Sequence, residues 1–108
     1  YLNCVALAST SVDAAEALAA LHRIEKRFGR VREVRNGARV LDMDLLDFAG
    51  YCNEDPVLTL PHPRMHQRAF VLMPLRELCP DWSHPVSGKT IDELIGQLPS
   101  HQEIRLAL

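Results

Sequence analysis

The run VLDMDLLDF, residues 40–48, constrains the fold more than any other part of the chain. It is nearly continuous in apolar residues apart from its acids, so it predicts a central strand of a sheet. Successive strand side chains point to opposite faces, which puts Asp42 and Asp44 on one side, roughly 6.6 Å apart along the backbone. Carboxylates that close repel unless a cation sits between them, and they suit a hard, oxygen-seeking ion such as Mg²⁺. Arg39 lies just upstream and is the residue type best matched to phosphate oxygens. Acid pair plus arginine reads as a site for a metal-bound polyphosphate.

Around that run the elements follow from local signals. Residues 1–7 predict a strand with Tyr1, Asn3, Val5 and Leu7 on one face. Asp13 is a good N-cap with Glu16 as its capping-box partner, and the helix it starts runs to about Phe28 and stops at Gly29. Ala14, Ala17, Leu18, Leu21, Ile24 and Phe28 share one arc of that helix. Glu25 falls inside the arc, where a carboxylate is costly to bury unless something pairs with it or a ligand reaches it. Residues 30–37, RVREVRNG, predict a polar, arginine-rich loop or hairpin. A short strand over 57–60 is ended by Pro61-His62-Pro63, and a helix over 69–78 bends at Pro74. Thr90 and Glu93 make a second capping box for a short helix to about Leu98, and residues 102–108 alternate weakly as an edge strand.

Composition narrows the function classes. A chain of 108 residues, 47% apolar and 24% charged, is one soluble globular domain with no linker or repeat to divide it. The net charge of -2 supplies no basic field to recruit nucleic acid. No apolar run approaches the roughly 18 residues that span a bilayer, so no membrane partner is expected. Cys4, Cys52 and Cys79 are odd in number and widely spaced, which favours reduced thiols and a cytoplasmic location. His62 and His66 have the spacing of a zinc pair, but Pro63 weakens the helix such a pair needs and no cysteine lies nearby. Trp82 sits among loop residues and is expected to pack.

Several blocks of the chain resemble one family. The stretch Arg35-Asn36-Gly37-Ala38-Arg39-Val40-Leu41-Asp42-Met43-Asp44-Leu45-Leu46 is similar to the signature of the 6-hydroxymethyl-7,8-dihydropterin pyrophosphokinases, with Met43 where Leu, Ile or Val is usual. The resemblance continues in Tyr1-Leu2-Asn3, Arg23-Ile24-Glu25, Gly29-Arg30, Leu58-Thr59-Leu60-Pro61-His62, Arg68-Ala69-Phe70 and Pro74-Leu75-Arg76-Glu77-Leu78. It implies an α+β fold, an antiparallel-rich sheet with helices on both faces, related to the ferredoxin-like folds. It also makes residues 1–108 the C-terminal portion of a single pyrophosphokinase-like domain, with the family's N-terminal segment expected before Tyr1.

The activity implied by the resemblance is Mg-dependent transfer of the β,γ-diphosphate of ATP to the hydroxymethyl group of 6-hydroxymethyl-7,8-dihydropterin, releasing AMP, in folate biosynthesis. Asp42 and Asp44 would hold two Mg²⁺ ions, and Arg30 and Arg39 would be the catalytic groups on the triphosphate. Glu25, Leu45, Thr59, His62 and Arg68 would contact ATP, while Asn3, Phe70 and Tyr1 would contact the pterin. A rival reading is a catalytically incompetent fragment that binds nucleotide and metal and self-associates through an exposed sheet edge. A third is an unrelated metal-dependent phosphohydrolase built on the same acids.

Overall fold

Asp13 starts the first helix through a local bond: its Oδ1 accepts the Glu16 N–H at 2.8 Å, satisfying one donor that a helix N-terminus leaves open. The computed structural model describes residues 2–31, 41–99 and 102, the side chains of residues 30 and 31 excepted. In it the first helix, α1, covers Ala14–Val31 and passes through Gly29, where a stop was predicted. Glycine lowers helix propensity by about 1 kcal/mol without forbidding the conformation, so it marks a boundary only where the chain turns left-handed. The first half of the predicted arc is covered, with Ala14 buried and Ala17, Leu18 and Leu21 half-buried. Ile24 and Phe28 in the second half are exposed.

The core lies in the C-terminal half. A 3-10 turn at Met65–Gln67 leads into α2, Ala69–Leu78, which packs against α3, Ile91–Gly96. Met65, Leu72 and Ile91 are fully buried between them, joined by Val71, Leu75 and Leu94. Pro74 stays inside α2. The start of α2 is capped from far along the chain: the Gln102 side chain accepts the Ala69 N–H at 2.8 Å and donates to the Gln67 carbonyl at 2.7 Å. The start of α3 carries the predicted capping box. Thr90 Oγ1 accepts the Glu93 N–H at 3.2 Å and Glu93 Oε1 accepts the Thr90 N–H at 3.1 Å. Such a cap contributes about 1 kcal/mol. The helix closes at Gly96, short of the predicted Leu98, because the N–H groups of Gln97 and Leu98 fold back as a tight turn onto Leu94 and Ile95.

The antiparallel-rich sheet is overturned. Among the described residues the β pairing consists of two isolated antiparallel bridges, Asn53 with Leu60 and Ser83 with Thr90. The described parts of the predicted strands over 1–7, 40–48 and 57–60 form no ladder, and the architecture is helices joined by irregular chain. An apolar alternation says which face of a segment is buried, but a strand also needs a second backbone to take its N–H and C=O groups, and periodicity does not name that partner. In the first of these segments Leu2 and Leu7 are 84% and 72% exposed, and Val5 is half-buried against the helical core rather than against a neighbouring strand. The arginine-rich loop predicted over 30–37 begins later than expected, since Arg30 and Val31 belong to α1; its remainder, residues 32–37, and the predicted edge strand over 102–108 beyond Gln102 lie outside the described residues.

His84 closes the helical lobe. Its buried Nδ1 accepts the N–H groups of Val86 at 3.2 Å and Ser87 at 3.3 Å, and its ring meets those of His66 and Trp82 edge-on. Burial pushes the imidazole below the ordinary histidine value, neighbouring His66 adds to the effect, and Asp47 opposes it. The fold therefore favours the neutral ring. As pH falls below about 6.5 the unfolded chain takes up the proton first, so the stabilisation is complete above that pH and is lost on acidification towards the folded pKa. Thermal melts across a pH series should show this decline. His84→Asn keeps an acceptor near Nδ1 but cannot titrate, so its melts should show a shallower decline.

Candidate functional site

The acid segment, residues 41–47, is held without a ladder. Leu41, Met43 and Leu45 are half-buried while Asp42 and Asp44 are exposed, the two-residue alternation of extended chain that turns both carboxylates outward. Three contacts from different parts of the chain pin it. From α1, Glu25 Oε2 accepts the Met43 N–H at 2.6 Å. The Leu46 carbonyl accepts the His62 N–H at 2.7 Å, and the Leu46 side chain packs on the core. Asp47 Oδ2 accepts the Trp82 indole N–H at 2.9 Å. The segment then reverses in a tight turn where Ala49 and Gly50 take left-handed φ values of 51° and 77°, and Asp47 Oδ1 accepts the Gly50 N–H at 3.2 Å.

The Leu46–His62 bond brings the His62 imidazole beside Asp44. Burial pushes the ring below its ordinary pKa; Asp44 opposes that, and Arg68 and Arg64 reinforce it. His62 Nδ1 accepts the Arg64 N–H at 3.2 Å, which leaves Nε2 as the protonated nitrogen of the neutral ring. Arg68 lies over the Phe70 ring, 5.4 Å from its centroid, a cation–π contact that leaves the phenyl partly exposed. Thr59 Oγ1 donates to the Asp55 carbonyl at 3.0 Å, closing the turn before Leu60 and the cis Leu60–Pro61 bond.

Asp44, His62, Arg68 and Phe70 thus share one neighbourhood, and Glu25, Asp42 and Leu45 belong to the acid segment or its support. Asn3 is exposed in irregular chain. Arg30 falls in the last turn of α1; its side chain, Tyr1 and Arg39 lie outside the described residues. Asp47 was missed from sequence, although its odd number puts it opposite Asp42 and Asp44, a sign that it serves another partner. That partner is Trp82, which packs as expected and also donates. An apolar cleft of about 400 Å³, lined by Ala14, Phe48, Tyr51 and Leu58 among others, contains none of the predicted site residues.

Two outward carboxylates suit magnesium in particular. Among the described residues no third His, Cys, Asp or Glu completes a cage. Magnesium needs none, because it keeps several waters and takes one or two carboxylates plus substrate phosphates. The donor set fits Mg²⁺ arriving with a polyphosphate, whereas a structural zinc would require four protein ligands.

Paired carboxylates beside a neutral imidazole and a guanidinium are groups suited to metal-assisted phosphoryl transfer. Residues 1–80 match the family model for 7,8-dihydro-6-hydroxymethylpterin-pyrophosphokinase, and the chain belongs to that family. The resemblance drawn from the sequence blocks is borne out. The chain is 48% identical over 99 residues to a 2-amino-4-hydroxy-6-hydroxymethyldihydropteridine pyrophosphokinase of Synechocystis sp., covering 91% of this chain and 50% of that protein. It is 41% identical over 106 residues to the protein of the same name from Haemophilus influenzae, covering 98% of this chain and 66% of the relative. It is 35% identical over 100 residues to the folic acid synthesis protein FOL1 of Dictyostelium discoideum, covering 93% of this chain and 15% of that one. The chain therefore spans between half and two thirds of the length of the two pyrophosphokinase relatives. None of the described helices is long and apolar enough to cross a membrane.

Proposed function

We propose that the protein transfers the β,γ-diphosphate of ATP to the hydroxymethyl group of 6-hydroxymethyl-7,8-dihydropterin in a Mg-dependent reaction that releases AMP. The observation that carries this reading, in a chain of this family, is the outward Asp42–Asp44 pair beside His62 and Arg68. The hydroxymethyl oxygen would bond to the β-phosphorus as the α,β-bridging bond breaks, its proton passing to solvent and AMP departing with the bridging oxygen. Position and charge, more than covalent chemistry, are what the protein must supply.

Asp42 and Asp44 would hold two Mg²⁺ ions, which when bound supply positive charge to the phosphate oxygens and acidify the attacking hydroxyl. Neutral His62 would donate from Nε2 to a phosphate or ribose oxygen. Arg68 would add a fixed positive charge, and Arg30 and Arg39 are assigned by family position to the triphosphate. Thr59 and Leu45 are assigned to the nucleotide. Asn3, Phe70 and Tyr1 are assigned to the pterin, whose donor–acceptor edge suits an amide and whose π-face suits an aromatic ring.

The test is nucleotide turnover by the intact protein with Mg-ATP. AMP that accumulates only when the pterin alcohol is present is the expected result. Bound nucleotide without AMP, together with self-association, would replace this reading by the binding-only one. Phosphate release that ignores the pterin would replace it by a hydrolase.

A further inference from the structure

We propose that Glu25 is a positioning residue, whose carboxylate sets the orientation of the acid pair by holding the amide hydrogen between its two members. The proposal rests on the metal–nucleotide reading above and assigns Glu25 a part in it distinct from contact with ATP. Glu25 is half-buried on α1, eighteen residues before Met43, and its Oε2 lies 2.6 Å from the Met43 nitrogen. That is slightly shorter than the roughly 2.7–2.9 Å usual for a charge-assisted N–H···O⁻ bond, the stronger class of hydrogen bond.

The position of the bond gives it leverage. Asp42 and Asp44 flank Met43, and on extended chain the N–H lies roughly at right angles to the side chains on either side. Holding the Met43 amide therefore fixes rotation of the segment about its own axis, and with it the direction in which both carboxylates point. A ladder would share this task among many bonds, but among the described residues the segment has no ladder. The other pins described above hold Leu46 and Asp47, beyond the pair. Glu25 also explains its own place. A carboxylate on an apolar helical arc needs a partner, and a backbone N–H left half-buried without an acceptor would be costly in turn.

Glu25→Gln keeps an oxygen that can accept the amide but removes the charge; Glu25→Ala removes both. In the metal-free protein, the Met43 amide should exchange slowly with solvent in wild type and Glu25→Gln, and fast in Glu25→Ala. Titration with Mn²⁺ and an unreactive ATP analogue should show Glu25→Ala weaker by about 10–100-fold, the range for residues that orient metal ligands, and Glu25→Gln within about threefold of wild type. An unprotected Met43 amide in wild type overturns the proposal even if Glu25→Ala does not fold. So does unchanged affinity in a folded Glu25→Ala, or a Glu25→Gln as weak as Glu25→Ala, since the latter would mean that charge and not acceptor geometry matters. Failure of the wild type itself to bind Mn²⁺ with the analogue would overturn the underlying site reading as well. That outcome is recognised by its presence before any substitution is made.

Discussion

Asp42→Asn and Asp44→Asn are each expected to lower Mg²⁺-dependent nucleotide affinity by more than the roughly 10–100-fold typical of an outer-shell partner, because each removes a proposed ligand outright. Both side chains are exposed, where even a surface ion pair contributes at most about 1 kcal/mol, so the unliganded fold should change little. The two substitutions therefore separate binding from stability. Calorimetric titration with an unreactive ATP analogue, with and without Mg²⁺, measures the first. The rise in melting temperature on adding Mg²⁺ and analogue measures the same linkage independently and should vanish in both variants. Asp44→Asn carries a further signature: Asp44 is the group that holds the His62 pKa up against burial and two arginines, so its loss should push that pKa lower still. Full affinity in both variants would remove the metal role from the pair, and with it the phosphoryl-transfer reading.

Leu72→Ala should destabilise the protein by about 2–5 kcal/mol, the range for deleting a buried leucine side chain and leaving part of its volume empty. Leu72 is fully buried among Met65, Val71, Leu75, Ile91 and Leu94, where α2 meets α3. Against a total of about 5–15 kcal/mol for a typical domain, that is a large fraction. The loss should reach the site, because Leu46 and Trp82 both pack on this cluster and both hold the acid segment. Urea unfolding gives the magnitude. Leu2→Ala is the control: Leu2 is 84% exposed, and truncating it should cost no more than about 0.5 kcal/mol. Equal effects at Leu2 and Leu72 would mean that the α2–α3 contact is not the centre of the core.

The parts of this fold that could be read from the chain are those whose bonds close within a turn. The Asp13 cap and the Thr90–Glu93 box each rest on neighbours three residues apart, so residue type and spacing carry the information. The acid pair is local in the same sense: alternate positions on extended chain share a side whether or not a sheet forms. The sheet itself was not legible, because a strand's partner is a distant backbone and an apolar pattern does not say which one. Glu25 shows the boundary well. Its misplaced charge on an apolar arc signalled that a partner existed, but nothing in the letters pointed to the Met43 amide.

By itself, then, the order of residues determined the helix caps, the outward acids and the family signature that surrounds them. Tertiary structure alone decided that Glu25 meets Met43, that Asp47 meets Trp82 and that Gln102 caps α2. Those bonds join residues 18 to 35 positions apart. Their geometry depends on how the intervening chain packs, and a side chain that can accept or donate carries no label for the distant group it will reach.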